Sequence, residues 1–139
     1  MADPVHPRPL VTKGFLLAGA YNVFGMLLFS QLFMNPLLAS TDPAVFSWLG
    51  QVGIVLWGLA YWAVANTYHH VPKLVAVFAF EKLVYTLAWL RWLSEKAQTL
   101  PAIANESPLT AVFFSVYGAG ELVFCLFFAW TALQVGKAR

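Results

Sequence analysis

Three ionisable side chains, Glu81, Lys82 and Glu121, stand in stretches of sequence that are otherwise apolar. A charge in the middle of hydrocarbon costs about 2.5–3.5 kcal/mol even on a lenient insertion scale, so each needs a partner or a wet cavity. Lys82 and Glu121 fall near the middle of successive apolar segments, which makes them the natural pair between antiparallel neighbours. Glu81 is adjacent to Lys82 but about 100° around the helix. Two carboxylates and one ammonium leave a negative charge unbalanced, and such a site is expected to hold a proton.

Amides and small residues gather at similar levels. Asn22 shares a helical face with Ala18 and Gly25, and Gln51 shares one with Gly58. Tyr117 comes one turn before Glu121, on the segment where Gly118, Glu121 and Cys125 lie on one face. Small residues let helices approach closely and polar ones hydrogen-bond across the gap. The candidate solute- or proton-binding set is therefore Glu81, Lys82, Glu121, Asn22, Gln51 and Tyr117. Three uses fit it: a clamp holding helices in register, a path for a solute or proton, or a lipid-facing binding or catalytic pocket. The surplus carboxyl keeps the path open beside the clamp, since a clamp needs only one.

No other motif reads as catalytic. His69-His70 has no third ligand nearby and no histidine falls within an apolar segment, so an interfacial polar pair is expected rather than a metal or haem site. Gly118-Ala119-Gly120 lacks the Lys-Ser/Thr of a phosphate loop and reads as a packing surface. The single cysteine, Cys125, excludes an intrachain disulfide and is expected to pack rather than react. Asn105-Glu106-Ser107 matches a glycosylation sequon but is followed directly by Pro108. No cofactor and no catalytic residue is expected.

The elements that must position these residues follow from composition. Of 139 residues, 60% are apolar and 10% are charged, against about 45–50% and about 25% in soluble domains. The apolar residues come in runs long enough to cross roughly 30 Å of hydrocarbon as helices. The net charge of +2 is spread out, which argues against a nucleic-acid partner. The reading is all-α: a single domain over residues 14–133, with a mobile tail over 1–13 rich in Pro4, Pro7 and Pro9, and a C-terminal tail over 134–139. Its four transmembrane helices run from about Gly14 to Met34, Ala44 to Asn66, Pro72 to Leu93 and Pro108 to Leu133. Asp42 and Ser107 are the expected caps of the second and fourth. The first run is longer than a signal sequence needs and ends in no small-x-small site, so it reads as a true span.

Lysines and arginines set the orientation. Arg8, Lys13, Lys73, Lys137 and Arg139 fall on one side and Arg91 and Lys96 on the other, which places both termini in the cytoplasm. Trp48, Trp89 and Trp92 are expected as anchors at the outer interface, with Tyr68 and Trp130 near the inner one.

Tyr21-Asn22 followed by Gly25, Gln51-Val52-Gly53, Lys82 and Glu121 resemble the corresponding positions of small bacterial four-helix inner-membrane proteins of uncharacterised function. The likeness covers most of the chain. Glu81 stands where those proteins tend to have glycine. The resemblance implies an inner-membrane location and no activity. The expectation is a small transporter or channel-like protein, in a homo-oligomer. The alternatives are a non-enzymatic accessory subunit of a larger membrane complex, or a membrane enzyme on a lipid or quinone-like substrate.

Overall fold

The computed structural model describes residues 6–138. Pro4 of the expected tail and Arg139 of the charge count lie outside the described residues. Every regular element among the described residues is helical. Helix α1 spans Pro9–Phe29, α2 Pro36–Thr41, α3 Pro43–Phe46, α4 Trp48–Val64, α5 Pro72–Lys96, α6 Leu100–Glu106 and α7 Pro108–Lys137. Two of them, α1 and α7, are long and apolar enough to cross a membrane, while α4 is a shorter apolar helix.

Proline opens α1, α2, α3, α5 and α7. A first-turn N–H has no intrahelical acceptor, so proline loses nothing there. Helix α1 starts at Pro9, five residues before the expected boundary at Gly14. Residues 9–13, assigned to the mobile tail, are therefore helical. The Thr12 amide bonds to the Arg8 carbonyl at 3.0 Å, and Val11 is buried in a cluster with Phe15 and Tyr68. Ser107 caps α7 as its position suggests, accepting from the Thr110 amide. Asp42 does not cap the long second segment. It precedes the short α3 and makes no side-chain cap bond, and Ser47 caps α4 through the Gly50 amide.

The first apolar run does not remain helical to Met34. Helix α1 ends at Phe29, and Gln31, Leu32 and Phe33 take φ of 51°, 56° and 67°. This left-handed turn costs L-residues roughly 1–2 kcal/mol each. Ser30 offsets part of that cost, its Oγ accepting from the Phe33 amide at 3.0 Å and its carbonyl from the Met34 and Asn35 amides at 2.9 Å. Asn35 then ties three segments together. Its Nδ2 donates to the Phe29 carbonyl at 3.0 Å and to Thr110 Oγ1 at 2.9 Å, while its Oδ1 accepts from the Leu37 amide.

The long helices associate as two pairs, α1 against α4 and α5 against α7. A Cβ on Gly58 would lie 2.8 Å from Asn22 Cβ and 2.9 Å from the Gly19 carbonyl oxygen, so glycine there is what lets α1 and α4 close up. In each pair indole N–H groups reach across to a carbonyl: Trp62 to Leu16 at 2.9 Å and Trp89 to Phe114 at 2.7 Å. The expected outer anchors therefore divide. Trp48 is exposed, but Trp92 is buried against Phe114 and Trp89 is half-buried. Tyr68 is also buried, its hydroxyl accepting from the Arg8 amide.

Two apolar clusters fill the interior. One, at the end that holds the termini, is built on Phe15, Tyr61, Phe78 and Phe128. The other, under α2, α3 and α6, is built on Leu38, Phe46, Trp92 and Phe114. The ionisable residues lie between them.

Candidate functional site

Lys82 is fully buried. Its Nζ stands 2.9 Å from Glu121 Oε2 on α7 and donates to Asn22 Oδ1 on α1 at 2.7 Å. It also sits 5.3 Å from the ring centroids of both Tyr21 and Tyr61, within the range where an aromatic face attracts a cation. The pairing expected between Lys82 and Glu121 is present. Removing an ammonium of this depth from water costs several kcal/mol, which is recovered only with good geometry and further hydrogen bonds. Here Lys82 gains one further hydrogen bond, to Asn22, while Glu121 Oε2 has no partner beyond the ion pair.

Asn22 is oriented by its other end, Nδ2 donating to the Ile54 carbonyl on α4 at 3.0 Å. The Ile54 carbonyl can take this second donor because a carbonyl oxygen has two lone pairs. Thus Asn22 links α1 and α4 while presenting its oxygen to the opposite pair.

Glu81 does not join Lys82 and Glu121. Its Oε2 accepts from the Tyr61 hydroxyl on α4 at 2.5 Å, and its Oε1 is buried with no hydrogen-bond partner. The 100° offset between adjacent helical positions explains the separation. The expected three-residue cluster is therefore two contacts on one layer: Asn22–Lys82–Glu121 and Tyr61–Glu81. Both cross from the α1/α4 pair to the α5/α7 pair. A third crossing is the Tyr21 hydroxyl, which donates to the Tyr117 carbonyl at 2.5 Å.

Gln51 lies away from this layer. Its Nε2 donates to the Phe46 carbonyl at 2.8 Å, which fastens α3 to α4. Tyr117 stands between the layer and the aromatic cluster, stacked on Phe113 at 4.9 Å, and its hydroxyl is buried without a partner. Cys125 packs beside Ala79, whose carbonyl is 3.3 Å from its Sγ. Thr86 turns its hydroxyl back to the Lys82 carbonyl at 2.8 Å. Among the described residues no group of three or more His, Cys, Asp or Glu side chains is placed to hold a metal.

Sequence reasoning missed Tyr61 and Tyr21. Tyr61 follows Gly58 by three residues on the face that Gln51 and Gly58 define, and that spacing was the available signal. Beside the layer is a cavity of about 150 Å³, lined in part by Tyr21, Asn22, Gly25, Tyr117 and Glu121. No protein-family model, no curated protein and no solved structure matches this chain.

Proposed function

We propose that the chain crosses a membrane four times, through α1, α4, α5 and α7, with both termini cytoplasmic, and that it is a small proton-linked transporter. The distribution of polarity supports the membrane reading. Phe24, Leu28, Leu56, Phe80, Val84, Leu122, Val123 and Leu126 are exposed on these four helices, while Asn22, Gln51, Glu81, Lys82, Thr86 and Glu121 are buried. A surface of that kind fits lipid rather than water. The basic residues on the terminal side give the orientation, and the resemblance to small bacterial inner-membrane proteins belongs to the same reading.

One observation carries the transport reading. Lys82 is bonded to Glu121 within its own helix pair and to Asn22 in the opposite pair. Alternating access works by rocking one rigid half against another around a site near the midplane. Two tight pairs, joined by this polar layer and by the apolar clusters on either side of it, supply two such halves. The charge count supplies the switch: Lys82 balances Glu121, and the buried Glu81 carboxyl, held only by the Tyr61 hydroxyl, balances with one proton. Infrared spectroscopy of the protein in lipid near neutral pH tests this: one protonated carboxyl is expected, lost in Glu81→Gln or Glu121→Gln. Its absence overturns the proton linkage.

The complete burial of Lys82 favours a second reading, a non-enzymatic accessory subunit with a structural clamp. In that case Glu81→Gln leaves every motion of the protein unchanged.

A further inference from the structure

The cavity beside the polar layer has an opening in an unusual place. It lies on the α1/α7 seam, where the two helix pairs meet, and partly exposed Gly25 and exposed Val116 stand at its edge. The neighbouring surface is apolar, with Phe24, Leu28 and Val112 all exposed. The entrance therefore faces sideways, toward lipid in the membrane reading, and not along the helix axes.

Gly25 is not there for helix packing. A Cβ at this position would meet nothing within 4 Å, unlike one at Gly58. A glycine inside a helix costs roughly 0.5–1 kcal/mol relative to alanine. What its missing side chain leaves is open space at the cavity's edge.

Size and chemistry define the occupant. An engineered apolar cavity of about 150 Å³ holds one benzene ring, and this cavity has the same volume. Phe29, Phe46, Phe113 and Tyr117 wall it, with Phe46 edge-on to Phe113 at 5.0 Å. Aromatic walls favour an aromatic occupant, which packs edge-to-face or offset against them. No cationic side chain lines it and the Glu121 charge is matched by Lys82, so an ionic ligand has no counter-charge. Three polar groups remain at the wall: the Glu121 carboxylate, an acceptor, the unpartnered Tyr117 hydroxyl, and the Tyr85 hydroxyl. A hydroxyl is the group that donates to the first and accepts from the second.

We propose that this cavity is a binding site for a neutral single-ring phenol that enters from the lipid phase between α1 and α7. The inference rests on the membrane reading and names a ligand class for the same polar site.

The test uses the full chain in lipid nanodiscs with 4-fluorophenol as probe, followed by fluorine NMR against empty nanodiscs. Saturable binding is expected, weakened at least tenfold by Gly25→Leu, which fills the cavity from α1. Gly53→Leu is the control, since a Cβ there also meets nothing within 4 Å but lies on the outer face of α4, and it should leave binding unchanged. Val116→Trp obstructs the entrance from α7 and gives the same reading if Gly25→Leu fails to fold. Tyr117→Phe should weaken 4-fluorophenol about fivefold more than fluorobenzene. Uptake no greater than in empty nanodiscs, or equal binding by wild type and both entrance variants, overturns the proposal. Binding without any pH-dependent movement of the helix pairs removes the transport reading and leaves the site standing; movement without binding does the reverse.

Discussion

Lys82 Nζ reaches Asn22 Oδ1 at 2.7 Å across the boundary between the two helix pairs. The contact is short because both ends are held. Asn22 is pinned to the Ile54 carbonyl and Lys82 to Glu121. A charged donor meeting a fixed neutral acceptor is worth about 1.5–3 kcal/mol. Asn22→Leu is expected to destabilise the protein by about that amount, read by thermal unfolding in detergent. The loss should fall mainly on the docking of the pairs, so a probe of helix content should change less than a probe of tertiary packing.

The pair itself obeys a different asymmetry. Lys82→Met strands the Glu121 carboxylate and Glu121→Gln strands the ammonium, each costing about 3–5 kcal/mol. The double replacement leaves no unpaired charge and should be milder than either alone. A double-mutant cycle measures this, and additive losses would show that the two side chains do not interact in lipid.

Tyr61→Phe removes the one hydrogen bond that Glu81 accepts. A buried carboxyl with neither oxygen satisfied costs about 1–3 kcal/mol. Glu81→Leu combined with Tyr61→Phe removes both polar partners and should recover most of the loss. Chemical unfolding of the wild type, Tyr61→Phe, Glu81→Leu and the double variant checks it.

Gly58 sets the approach of α1 to α4, with Gly19 backbone directly opposite. Backbone cannot rotate away as a side chain can, so Gly58→Val should force the helices apart. We expect a loss of at least about 2 kcal/mol from overpacking, with the Trp62 fluorescence shifted as its bond to the Leu16 carbonyl breaks.

Much of the site was legible because buried charge is expensive and has few solutions. Lys82 and Glu121 had to meet, and Asn22 at the same level was an available third partner. The position of Glu81 was only half legible. Its offset from Lys82 follows from helix geometry, but its partner Tyr61 depends on how α4 is rotated, and an apolar helix carries little periodic signal. Gln51 looked equivalent to Asn22, yet it caps a local feature, the short α3. The left-handed turn at Gln31–Phe33 was invisible because the apolar run continues through Met34 while the helix ends at Phe29. Trp89 and Trp92 misled for a related reason. Residues near a helix end read as interface anchors, but carbonyls of Phe114 and Thr41 were within reach of their N–H groups inside the protein.

The central claim, that the polar layer is a proton-dependent joint between two rigid pairs, is tested most directly by a distance across the α1/α7 seam. Spin labels at the exposed positions Leu28 on α1 and Val112 on α7, with the protein in lipid, report that distance by pulsed electron resonance. Between pH 8 and pH 5 the wild type is expected to shift its distance distribution by several ångströms, on the scale of an interface helix shift to a one-turn ratchet, and Glu81→Gln is expected to hold one distribution at both pH values. An unchanged wild-type distance at both pH values would contradict the joint and leave Lys82 and Glu121 as a fixed clamp.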